Sequence, residues 1–166
     1  FSKMKINLKK NWLEELDKVN VSSEVLAGVK WQEIYHLVIL PMYKEPLEVA
    51  RSTFLSLTKV NYPPDRLITV LAIEERGGGA ALSAAKEIER EFGSKFFKFL
   101  ITQHPSGVSG EIAGKGSNDS WALKEAKNKI IDELQIPYER IIVSCFDVDT
   151  MVHSDFFGCL TYNYLS

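Results

Sequence analysis

Leu37-Val38-Ile39-Leu40, closed by Pro41, is the stretch on which the fold turns. Four apolar residues in a row, two of them β-branched, read as a short strand buried on both faces, as in a parallel sheet. After it, Leu47, Ala50, Phe54 and Leu57 share one helical face, with Pro46 suited to the first turn, and residues 61–65 (NYPPD) break the helix. Residues 67–73 (LITVLAI) are a second strand. Beyond Gly77-Gly78-Gly79, Ala81, Ala84, Ile88 and Phe92 trace a second helix, and residues 96–101 a third strand. A polar, glycine-bearing loop is expected over 103–116. Trp121, Leu123, Ala126, Ile130 and Leu134 then mark a third helix, ended by Pro137, and residues 141–146 a fourth strand. This alternation predicts an α/β, three-layer fold, a mostly parallel sheet with helices on both faces; the strand order we expect for it is 3-2-1-4. Right-handed crossovers place ligands outside the carboxyl ends of its strands.

Residues 1–33 stand apart from the domain expected over 34–166. Phe1, Met4, Leu8, Trp12, Leu16 and Val19 recur at helical steps, and Lys3, Lys5, Lys9 and Lys10 crowd the first ten residues with no acid among them. Such an amphipathic segment either lies on an anionic membrane surface or docks its apolar face on the domain. The 166 residues are 45% hydrophobic and 25% charged, which excludes disordered and low-complexity classes. A net charge of -2 gives no electrostatic reason to expect nucleic acid. The longest apolar run, 37–43, is far short of the ~18 residues that span a bilayer. Cys145 and Cys159 make neither a disulfide framework nor a zinc pattern, so a reducing, cytosol-like setting is the default. Opening on Phe1 and stopping soon after Tyr162 and Tyr164, the chain reads as a piece of something longer.

The expected strand ends are chemically unusual. Pro41-Met42-Tyr43-Lys44-Glu45 follows the first strand, Glu74-Glu75-Arg76 the second, and Asp147-Val148-Asp149 the fourth. Carboxylates gathered at one sheet edge repel one another unless a cation neutralises them, and oxygen-only ligands favour Mg2+ or Mn2+. Strand alternation would put Asp147 and Asp149 on one face. A Walker A loop is excluded, because Ser109 and Gly116 stand where glycine and Ser/Thr are required. A dinucleotide fingerprint is excluded because the loop after the first strand has no glycine.

Together, Pro41-x-Tyr43-x-Glu45, Glu74-Glu75, Lys115-Gly116-Ser117-Asn118 and Asp147-x-Asp149 resemble the family-2 glycosyltransferases, in particular processive, cellulose-synthase-like members, over about residues 34–165. The resemblance implies a GT-A, Rossmann-like nucleotide-binding half and a metal-dependent inverting transfer of a hexosyl group from a UDP-sugar. It assigns the nucleotide to Pro41, Tyr43, Glu45, Glu74, Glu75, Lys115 and Asp147. Within that set, Tyr43 resembles the aromatic that stacks on the base, Glu45 the acid beside the nucleoside, and Lys115 the basic residue near the diphosphate. Glu74-Glu75 stand where the family has Asp-Asp. Asp147 and Asp149 resemble the D-x-D pair that holds Mn2+ or Mg2+. It further implies a carbohydrate or lipid-linked acceptor, a general base beyond residue 166, and a membrane-integrated parent acting at the cytoplasmic face. A non-catalytic nucleotide-sugar-binding module of the same fold is the alternative.

Overall fold

A computed structural model describes residues 10–112 and 114–166. Four strands, β1 (Tyr35–Met42), β2 (Leu67–Glu74), β3 (Lys98–His104) and β4 (Ile141–Cys145), form one sheet, all parallel, in the order β3-β2-β1-β4. That is the order expected. Helices α1 (Trp12–Leu16), α2 (Leu47–Leu57), α3 (Gly78–Phe92), α4 (Lys115–Ala126) and α5 (Phe156–Leu165) surround it. No helix among the described residues is long and apolar enough to cross a membrane.

The sheet is covered on both faces, which is why β1 and β2 are nearly continuous apolar runs. Val38, Leu40, Leu71 and Ile73 join Phe54, Ile88, Phe92 and Phe157 in one core cluster; Leu37, Ile39, Ile68 and Val70 join Ala122, Ala126 and Ile130 in the other. Pro41 does not end β1. The ladder on the β4 side stops at the pair Ile39–Cys145, so the N–H that Pro41 lacks would have met no partner there.

Several expected boundaries need correction. The third strand runs over Lys98–His104, not 96–101, because Gln103 and His104 still pair with Ile73 and Glu74. Buried polar residues at its end, Thr102 and His104, disguise it as loop. The loop expected over 103–116 is correspondingly shorter, since α4 starts at Lys115. The buried face of α4 carries Asn118, Ala122 and Ala126, whereas Leu123 and Leu134 are exposed. Small alanines let the helix lie close on the sheet, and a π-helical turn over Lys127–Ile131 then brings both Ile130 and Ile131 inward. The fourth strand ends at Cys145, although the Phe146 N–H still donates to the Ile39 carbonyl at 3.0 Å.

At the N-terminal side Trp12 and Leu16 are buried. Trp12 meets the Tyr162 ring at 5.4 Å, and a Cβ at Gly158 would stand 3.0 Å from the Trp12 Cβ. This part of the segment therefore docks on α5, and its helix ends before Val19. Phe1, Met4, Leu8, Lys3, Lys5 and Lys9 lie outside the described residues.

Candidate functional site

The carboxyl ends of β1 and β2, the turn after β4 and the first turn of α4 meet around a cavity of about 90 Å³. Its walls are Pro41, Met42, Tyr43, Glu45, Glu74, Lys115, Asn118 and Asp147. Six of the eight residues singled out in the sequence are thus brought together. The other two are not in the wall. Glu75 is exposed and accepts a hydrogen bond from the Ser106 N–H at 2.7 Å, and Asp149 is exposed on the turn after β4.

Each buried or lining carboxylate here already has a partner within the chain. Glu74, 5% exposed, is gripped by Arg76 through both Nε and Nη2. Asp147 pairs with the Lys115 ammonium, and that bond holds the lysine pKa above its ordinary value. Glu45 turns back to accept from the N–H groups of Tyr43 and Lys44 at 2.7 and 3.1 Å, fixing the corner between β1 and α2. The Tyr43 ring carries the Arg76 guanidinium 4.6 Å from its centre and the Lys44 ammonium at 4.8 Å. A planar ligand stacking on Tyr43 would meet those cations as well as the ring.

Asp147 and Asp149 lie on a turn rather than on a strand, a correction of the expected placement. The Thr150 N–H donates to the Asp147 carbonyl at 2.9 Å, closing the turn. Val148 points inward, 2% exposed, and both aspartates are exposed to solvent. The turn is pinned from α2: the buried Thr53 hydroxyl donates to the Val148 carbonyl at 2.5 Å. Thr53→Val keeps the shape and removes the donor, leaving a buried carbonyl unpaired. It should lower unfolding stability by about 1–3 kcal/mol in urea denaturation, with Thr53→Ser retaining most of it.

Among the described residues, no three His, Cys, Asp or Glu side chains gather closely enough to hold a metal by themselves. The donor set is nonetheless oxygen-only and solvent-facing. A hard divalent ion of the Mg2+ type is commonly held by one or two carboxylates, with substrate phosphates and water filling the rest. Asp147 and Asp149 fit that role once Lys115 lets go.

No protein-family model matches the chain. A probable cytosolic Fe-S cluster assembly factor from Culex quinquefasciatus is 27% identical over 108 residues, covering 64% of this chain and 22% of that protein. Among solved structures, a mannosyltransferase from Pyrobaculum calidifontis, in complex with GDP-Man and Mn2+, superimposes with a TM-score of 0.54 at 19% identity. It covers 96% of this chain and 37% of its own. The fold is shared with that mannosyltransferase. The chain spans only a minor part of either relative's length.

Three residues of the site region escape the motif reading. His104 and Glu111, bonded at 2.8 Å, wall a second cavity of about 200 Å³ that shares Glu74 with the first and adds Arg76. Asp119 sits one turn along α4 from Lys115. One of its oxygens, Oδ1, is buried without a hydrogen-bond partner. Burial pushes this carboxyl up, with Lys115 opposing and Asp147 adding to the rise. The i, i+4 spacing from Lys115 was the available signal. A larger groove of about 480 Å³, lined by Leu123, Ile131, Tyr138 and Val143, runs between α4 and the edge strand β4. It is mainly apolar and away from the carboxylates.

Proposed function

We propose that this chain carries the donor-binding portion of a metal-dependent glycosyltransferase, taking a nucleoside-diphosphate sugar and transferring its glycosyl group with inversion. The observation that carries the reading is the single cavity lined by Tyr43, Glu74, Lys115 and Asp147, with Asp149 on the adjoining turn. A likeness of fold to a protein solved with GDP-Man and Mn2+ supports it. In this reading Asp147 and Asp149 hold Mg2+ or Mn2+, which as a Lewis acid neutralises the charge on the departing diphosphate. Lys115, freed from Asp147, faces the same phosphates, and Tyr43 with Arg76 offers a flat surface to the base. The motif pattern favours uracil; the solved neighbour holds guanine.

A non-catalytic nucleotide-sugar-binding module is the second reading. In its favour, Asp155, the only carboxylate following Asp149 in this chain, is already held by the Asn61 side-chain amide at 2.8 Å at the start of α5.

The test is ligand-linked stability. Mn2+ with UDP or GDP, at a hundredfold excess over its Kd, should stabilise the fold by about 2.7 kcal/mol. For a chain of this size that raises Tm by roughly 5–11 °C. Chelator should remove most of the gain, and comparing the two nucleotides identifies the base. Asp149→Ala should abolish the metal-dependent part. An equal shift in that variant would remove the aspartate pair from the metal, and no shift with either nucleotide in the wild type would count against the whole reading.

A further inference from the structure

Asp147 cannot serve Lys115 and a divalent cation at once. Two cations on one carboxylate repel, so loading the site ejects the ammonium. A released lysine needs somewhere to go. Asp119 is placed to receive it. It lies four residues on from Lys115 in α4, so the two side chains stand on one face a turn apart. Its Oδ1 is buried and accepts no hydrogen bond, an arrangement that is costly unless a donor arrives. Electrostatically it feels both members of the existing pair, Lys115 and Asp147.

We propose that Asp119 is a positioning residue that takes over the Lys115 ammonium when a divalent cation occupies Asp147. The proposal rests on the reading of Asp147 as a cation ligand. Without metal, Lys115 masks the carboxylate and keeps the site electrically quiet. With metal, the lysine swings along its own helix to Asp119, where it lies beside the incoming phosphates instead of against the ion. Cation loading and the arming of Lys115 are then one exchange of partners.

A binding cycle with Mn2+ alone tests this, read from the electron paramagnetic resonance signal of the free ion at physiological salt. Lys115→Met removes the competitor and should tighten Mn2+ binding. Asp119→Asn removes the second seat and should weaken it about threefold to fivefold, with Asp119→Glu restoring most of the loss. In the Lys115→Met background, Asp119→Asn should do nothing. An equal loss in both backgrounds would make Asp119 a direct ligand of the ion and overturn the exchange. No effect in either would make it merely structural. The seat itself is checked without metal: a crystal structure of Asp147→Asn should place the Lys115 ammonium within hydrogen-bonding distance of an Asp119 oxygen. Finding the ammonium in solvent there overturns the proposal. Failure of the wild type to bind Mn2+ strikes the metal reading and the trigger with it, and the Asp147→Asn structure reports on the seat separately.

Discussion

On acidification from neutral pH to about pH 3, the fold should lose about 4 kcal/mol of stability through one side chain, His36. His36 is fully buried in β1. Its Nε2 lies 2.8 Å from the Thr161 hydroxyl, and its ring abuts Tyr62 and Phe157, each with centres 4.7 Å away. Burial penalises the imidazolium and drops the pKa from 6.5 to about 3. The unfolded chain therefore binds a proton that the folded chain refuses between those values. The His36 contribution is flat above pH 7, falls as pH drops through 6.5, and levels again below about 3. By pH 5 the loss should already be roughly 2 kcal/mol. Urea denaturation across this range checks it, and His36→Leu should flatten the slope in the same window. A wild-type profile as flat as the variant's would mean the histidine protonates in place. Tyr62, its neighbour, is pushed up to about 12 by burial, so a second decline is expected as pH rises above 10.

Phe54→Ala should destabilise the protein by about 3–5 kcal/mol in denaturant unfolding. The ring is fully buried on α2. Its neighbours come from separate elements: Phe92 at 5.9 Å, Phe96 at 6.3 Å and Phe99 at 5.4 Å between ring centres. Rings held from α3, β3 and the segment between them cannot all move inward together, so the cavity should stay open and the loss should sit high in that range. Phe54→Leu should recover more than half. Because Thr53 precedes Phe54 and pins the carboxylate turn, the alanine variant should also weaken metal-dependent nucleotide binding at temperatures well below its Tm.

The parallel, two-sided sheet was legible because Leu37-Val38-Ile39-Leu40 and residues 67–73 are apolar runs suited to burial on both faces, which brings helices onto both sides. Tyr43, Glu74 and Asp147 could be grouped in advance because parallel strands deliver all their carboxyl ends to one edge, whereas Lys115 joined them only through the family resemblance. Pairings between distant residues were not legible. Nothing along the chain says that Lys115 reaches Asp147, or that Glu45 spends its carboxylate on the Tyr43 and Lys44 amides. The end of β3 was missed because Thr102 and His104 are polar yet buried, and apolar periodicity cannot report such positions. Leu123 and Leu134 misled for the opposite reason: they are large and apolar, but alanines carry the contact with the sheet.

The central place of β1 has a consequence for how a nascent chain matures. β1 finds β2 across a single helix, but its other neighbour, β4, is not yet made when residues 67–140 leave the ribosome. Emerging at about 5–20 residues per second, β1, β2 and β3 have time to assemble before that strand exists. The β4 segment must then close the longest loop in the sheet, which makes its docking the slow, late step. The Thr53–Val148 bond and the Asn61 amide on the Ser154 carbonyl at 2.7 Å act as the latches of that step. A polypeptide stalled or cut before residue 141 would therefore hold three paired strands with Lys115 already displayed, and no aspartate opposite it.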